Sequence, residues 1–432
     1  MQMKNKVKSE KGIMTMYVTI AVVTFTIILV ALFSLAVATR KNQIKTLIKV
    51  KEVYEQDNSK KEQIYMEQKK KIELPSTSDT TPYYPDDTFR RDSSTDLDTG
   101  LVIKDKNKNE YVWIEVPKTA EVYPTAGLKI TNFTVDEYTA IETDLHTYTN
   151  YYRNGTSFTD EYPSDKVLAG TGLDSDAYTA LKQKMLKSVY ENGGFWIGRY
   201  EAGIAENRTS KEIDLATAPA PLSTSKTGTE ENPIYPYPYT YVTCSQAQTL
   251  ASKLSTGKSY TSSLMFGVQW DLVLKHIETK EVEKGTALAT IQSALRSNSS
   301  SWGNYRDASF TINRGKYAKD GALSTWYNYN TALENCVTYA NGTSTKISAS
   351  DYNNSILLTT GASDACKKMN IYDLAGNVSE LTLEYTADSN VPCTVRGGSY
   401  HNVGSGPPAS YRYNLLTTLS VSTYGFRSSL FK

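Results

Sequence analysis

The sequence predicts an α+β fold placed behind an N-terminal membrane helix. Three observations predict it. An uncharged apolar run fills residues 13–39. Beyond it, strand-like runs and amphipathic helical runs are interleaved from Leu101 onward. Near the C-terminus, glycine-bearing turn-and-strand pieces bracket one looser segment.

The apolar run comes first. Ile13 to Thr39 carries no charge and exceeds the roughly 20 residues a spanning helix needs. A cleaved signal peptide has a shorter apolar region and a small-residue cleavage site. The run therefore reads as an uncleaved anchor, with residues 1–12 as a short cytoplasmic tail. Lys4, Lys6, Lys8 and Lys11 precede it, while Arg40, Lys41, Lys45, Lys49 and Lys51 follow it. Loop charge therefore does not orient it; the character of the large domain places that domain outside the cell. A second reading of the N-terminus stands beside this one. Lys11-Gly12 ahead of an apolar helix resembles a prepilin signal, although Tyr17 occupies the position where pilins carry Glu.

Residues 40–73 are lysine-rich, with Ile44, Leu47, Ile48 and Val50 among them, and predict a stalk helix. Residues 74–100 hold Pro75, Pro82, Pro85 and many Ser, Thr and Asp. That composition predicts a flexible linker. One domain is expected over residues 101–432, with no second core. Leu101 to Ile103 and Tyr111 to Val116 predict a hairpin. Ala177, Leu181, Met185 and Val189 predict a helix from Asp174 to Tyr190, closed by Asn192-Gly193-Gly194. Phe195 to Glu201 is β-prone. Residues 206–239 read as a surface insertion. Ser245 with Gln248 forms a capping box ahead of a helix through Leu254. Val268 to Ile277 predicts another helix, and residues 286–360 are polar, with Trp302 and Trp326 as packing anchors.

The net charge of +1 gives no footprint for nucleic acid. Three dispersed histidines supply little for a His-rich metal site. Four scattered cysteines allow two disulfides in an oxidising compartment, with three pairings open, or four buried thiols.

Near the C-terminus, Gly376-Asn377-Val378 with Glu380, then Arg396-Gly397-Gly398-Ser399-Tyr400, then Gly425-Phe426-Arg427 follow one another. This order resembles the formylglycine-generating enzyme (sulfatase-modifying factor) family. The resemblance implies a C-type-lectin-like fold. It implies a calcium ion held by the Asp373 and Glu380 carboxylates and the Gly376 and Val378 carbonyls, the oxygen-rich set that Ca²⁺ takes. The family's oxidase binds copper through two cysteines after the Arg-Gly-Gly-Ser motif. By register those positions are Asn402 and Pro407, and no cysteine follows Cys393. Cu(I) wants soft thiolates, so copper is not expected, nor is a catalytic residue.

The looser segment, Ser399 to Gly425, contains no Lys, Glu, Gln, Met or Trp. Every residue in it can be encoded by a codon ending in C. Random replacement of the adenines in AAC codons leaves that pattern. The segment resembles the variable region of diversity-generating retroelement proteins, and its Tyr, Ser, Gly and Asn content suits adaptable paratopes. The expected function is a membrane-anchored display protein. Tyr400, His401, Asn402, Tyr411, Tyr413 and Tyr424 are its expected contacts for a protein or glycan on another cell or phage. An oxidase of the formylglycine-generating type and a pilin-like tip subunit are the alternatives.

Overall fold

The computed structural model describes residues 2–69, 73–153, 157–163 and 170–432. Met1 and residues 70–72, at the ends of the expected tail and stalk, lie outside the described residues. The chain divides into two compact units, Met1–Ile72 and Glu73–Lys432.

The first unit is one helix, Gln2–Lys69. Its 68 residues give a rod about 100 Å long. Gly12–Asp57 is long and apolar enough to cross a membrane. Ile13, Phe25, Leu29 and Phe33 all expose their side chains along it.

The second unit is a mixed α+β body. Its main sheet has six antiparallel strands in the order Arg90–Arg91, Val102–Lys104, Glu110–Glu115, Gly194–Gly198, Ser428–Phe431 and Thr261–Leu264. The last strand of the chain is thus inserted between two earlier ones. Alternation sorts the side chains onto two faces. Val112, Ile114, Phe195, Ile197 and Phe431 enter the large core. Tyr111, Trp113, Trp196 and Leu430 face the other way into a smaller cluster. The Ser175–Asn192, Cys244–Ser252 and Gly267–Glu283 helices contribute to the large core.

Residues 74–100 cover the opposite face, and the expected linker is corrected here. Leu74, Tyr83, Tyr84, Phe89 and Leu97 pack into the smaller cluster. Thr80 donates to the Gly193 carbonyl and accepts from the Trp113 indole, each at 2.9 Å. The Trp196 indole donates to the Tyr83 carbonyl at 2.9 Å. A sheet with tryptophans on its second face needs that face covered, and this proline-rich stretch does so.

The Ser175–Asn192 helix starts on the Asp174 cap and ends at Gly193, φ 67°. A side chain there would meet the Asp79 carbonyl at 2.2 Å, so the helix stop and the covering segment demand the same glycine. The next helix is capped by Thr243 with Gln246, not by Ser245 with Gln248. Gln248 instead accepts from the Leu264 amide. Residues 101–432 fall within the single unit Glu73–Lys432. Ile312, Tyr317, Val337, Ile356 and Leu358 form a satellite cluster on small antiparallel sheets. Trp302 is buried, while Trp326 is only half-buried. The four cysteines are buried thiols in the structure.

Candidate ligand-binding site

A second sheet holds the C-terminal motifs. Its strands run Arg412–Leu415, Cys393–Arg396, Ser379–Thr386 and Tyr424–Phe426, the last pairing parallel to the third. The three motifs that stand apart in sequence meet on these strands.

Below the sheet surface lies a neutral quartet of charges. Arg396, fully buried, donates to Asp271 at 2.8 Å, to Glu384 at 3.3 Å and to the Tyr411 carbonyl at 3.1 Å. Arg412 donates to Glu384 at 2.9 Å, to the Tyr152 carbonyl at 2.7 Å and to Asp271. Two guanidiniums thus answer two carboxylates, and the backbone around Tyr411 is fixed from beneath. Gly397 and Gly398 both take positive φ, and a side chain on Gly398 would meet the Pro407 carbonyl at 2.4 Å. The turn after Arg396 therefore needs glycine for conformation and for space.

Above this frame opens a cavity of about 470 Å³. His401, Asn402, Pro407, Tyr411, Tyr413 and Tyr424 all line it. Tyr411 and Tyr413 sit two residues apart, so they share a face. Their rings are nearly parallel, with centroids 6.4 Å apart. They are 39% and 48% exposed. Burial raises the pKa of Tyr411 and of Tyr424, and the neighbouring phenols add to both shifts. Burial lowers that of His401. The wall is therefore aromatic and uncharged near neutral pH. Asn402 lines the cavity, but its amide oxygen is engaged by the Ser399 amide and hydroxyl.

Tyr400 is corrected as a contact residue. It is fully buried, packed with Ala322, Leu357 and Val378, and its hydroxyl lies 3.3 Å from that of Ser422. It faces inward, while its neighbour His401 reaches the cavity. Arg412 and its two carboxylate partners escaped sequence reasoning. A lone arginine inside a segment without lysine was the available signal.

The calcium set implied by the resemblance does not fit these side chains. Glu380 accepts from Arg427 through both oxygens, at 2.5–3.1 Å, so its carboxylate is already paired with a guanidinium. Arg427 also donates to the Gly198 and Tyr372 carbonyls. Gly376 donates its amide to Gly397, and Val378 packs against Tyr400. Asp373 accepts from the Gly361 amide at 2.7 Å, leaving its second oxygen without a hydrogen-bond partner.

Burial pushes the Asp373 pKa up to about 7, above the roughly 3.9 of an unfolded carboxyl. The folded state therefore keeps this proton longer. Its contribution is complete below about pH 4 and is lost as pH rises through about 7. Asp373→Asn is expected to lose less stability than the wild type between about pH 5 and pH 8. Urea titrations across that range check this, and parallel slopes would contradict it.

Glu142, His146 and Asp160 bring their ligand atoms within 4.8 Å of one another. Cations already serve two of them. Lys182 donates to Glu142 at 2.9 Å, and Arg153 approaches Asp160 to 3.7 Å. Asp160 also accepts from the Gly267 and Val268 amides, at the start of the Gly267–Glu283 helix.

No family model matches the chain. No curated protein matches it. Among solved structures, one described as "Crystal Structure of CarF" is similar at 16% identity and a TM-score of 0.29, covering 55% of this chain and 86% of that one. A likeness that low carries no conclusion about fold or function.

Proposed function

We propose that the chain is a single-pass membrane protein whose C-terminal domain binds a ligand outside the cell. In this reading the domain is a C-type-lectin-like frame of the formylglycine-generating type, and Ser399 to Gly425 is its diversified face. One observation carries it. Five of the six side chains expected as contacts, His401, Asn402, Tyr411, Tyr413 and Tyr424, line one cavity. An aromatic wall with an uncharged polar floor suits a protein surface or a glycan, since such rings dominate binding energy. The Gln2–Lys69 helix supplies both the anchor and the stalk.

The oxidase reading is disfavoured at the same place. Asn402 and Pro407, the positions the resemblance gives to copper thiolates, both line the cavity. Neither side chain supplies a thiolate. Cys393 is buried, with its thiol against the Gly170 carbonyl.

The test of diversification is the flanking DNA. A reverse transcriptase gene beside an adenine-rich near-copy of the Ser399-to-Gly425 coding stretch is expected. Its absence would end that part of the reading. The binding part is tested by the Tyr411→Ala, Tyr413→Ala double variant. Its melting temperature is expected to move by only about 2 °C, as for exposed substitutions. Peptides enriched on the wild-type chain from a random display library are expected to lose all detectable binding to it. Unfolding of the variant would instead make these rings structural.

A further inference from the structure

A second groove runs beside the tyrosine cavity and shares Gly406 and Tyr411 with it. Its volume is about 290 Å³. The charged side chains among its described lining residues are three arginines, Arg153, Arg296 and Arg412, with no carboxylate. The three are not equivalent. Arg412 is locked, with Glu384, Asp271 and the Tyr152 carbonyl taking its donors. Arg153 is held loosely, 3.5 Å from Asp271 and 3.5 Å from the Phe158 carbonyl. Arg296 ends the Leu288–Arg296 helix and lies 4.6 Å from the centre of the Tyr151 ring. Among the described residues no carboxylate comes within ion-pair distance of it.

The charge balance singles out the same residue. Arg153, Arg396 and Arg412 are answered by Asp160, Asp271 and Glu384. Arg296 adds a positive charge that this network leaves unanswered. A guanidinium laid against an aromatic ring keeps its donor edge free, and that edge matches a carboxylate in fork geometry.

The neighbouring strand favours a peptide as the bearer of that carboxylate. Arg412–Leu415 is an edge strand, pairing only with Cys393–Arg396 among the described residues. An extended peptide can add to such an edge, with alternate side chains turned into pockets on one face. The cavity and the groove stand on either side of Tyr411, so they are placed for two side chains of one segment.

We propose that the groove is an anion subsite, in which Arg296, with Arg153 beside it, receives an Asp or Glu side chain of a peptide segment whose aromatic or apolar residue fills the tyrosine cavity. This rests on the cavity being the binding site. The test pans a random twelve-residue display library against the full chain in detergent micelles. The wild type, Arg296→Ala, Arg296→Lys and Tyr413→Ala are compared, with melting curves confirming that each is folded.

Clones enriched on the wild type are expected to carry Asp or Glu. Arg296→Ala is expected to weaken those acidic clones about tenfold or more, the range of a charge-assisted hydrogen-bonded pair. Clones without an acid should bind it as before. Arg296→Lys should recover part of the loss, because charge survives while the fork geometry does not. Acidic clones that bind wild type and Arg296→Ala equally would overturn the subsite while leaving the cavity reading intact. Enrichment of neutral clones alone would also overturn it. Failure to obtain any clone that depends on Tyr413 would overturn the cavity reading and the subsite together.

Discussion

Arg427→Met is expected to cost about 3–5 kcal/mol of folding stability, the usual effect of removing one partner from a buried ion pair. Arg427 is fully buried and saturated with acceptors. Both Glu380 oxygens, the Gly198 carbonyl and the Tyr372 carbonyl accept from it. Methionine would fill much of the volume but leave two carbonyls without these donors and Glu380 unpaired. The consequence spreads, because Arg427 also favours the charged forms of Glu201 and Asp373. Without it, three neighbouring buried carboxyls would have lost a shared cation. Burial, reinforced by Asp373 and Glu380, already raises the Glu201 pKa well above its ordinary range. The variant should therefore be weakest at alkaline pH and recover partly in mild acid, where protonation removes the buried charge. Denaturant midpoints from mild acid to mild alkali measure both effects. A loss under about 1 kcal/mol would mean that the pair is solvated and that the core around the C-terminal strand has been misread.

The legible parts of this fold were those with local causes. The Ser175–Asn192 helix announces itself through spaced apolar residues and a closing glycine. The hairpin of Val102–Lys104 and Glu110–Glu115 does so through β-prone runs around a polar turn. The expected contacts were chosen from the segment's unusual composition and its tyrosines; that five of them line one cavity is visible only in the structure. Residues 74–100 were not legible, since proline and serine content describes a chain's local freedom and says nothing of what covers it. The missed cue lay elsewhere, in Tyr111-Val112-Trp113-Ile114. A strand that is apolar on both faces needs two covers, and one had to come from sequence beyond the hairpin. Tyr400 was misplaced for a related reason. Composition marks a segment as exposed, while the course of the turn after Gly397-Gly398 points Tyr400 inward and leaves His401 at the cavity.

A substitution scan of Ser399 to Gly425 is expected to separate two interleaved sets of positions. Tyr411, Tyr413 and Leu416 are at least 39% exposed, and each should accept most residues within about 0.5 kcal/mol. Gly404, Ala409, Arg412 and Leu415 belong to the other set. A side chain on Gly404 would meet the Ser300 amide nitrogen at 2.4 Å. Ala409 is fully buried, and its carbonyl accepts from the Trp270 indole at 2.9 Å. Leu415 is 2% exposed, so Leu415→Ala should cost about 2–5 kcal/mol. Arg412→Ala should cost about 3–5 kcal/mol, because Glu384 would keep only Arg396, and Asp271 only Arg396 and the more distant Arg153. Surface-display level of a folded-domain library measures the scan directly. Sequencing sibling loci measures the same partition in nature, with changes expected at 411, 413 and 416 and silence at 404, 409, 412 and 415. Substitutions falling equally on both sets would show that the segment is not built on the buried quartet beneath it. A template carrying adenine under Arg412 would send most of its products to misfolding, so the proposed diversification would require a template that spares the buried positions.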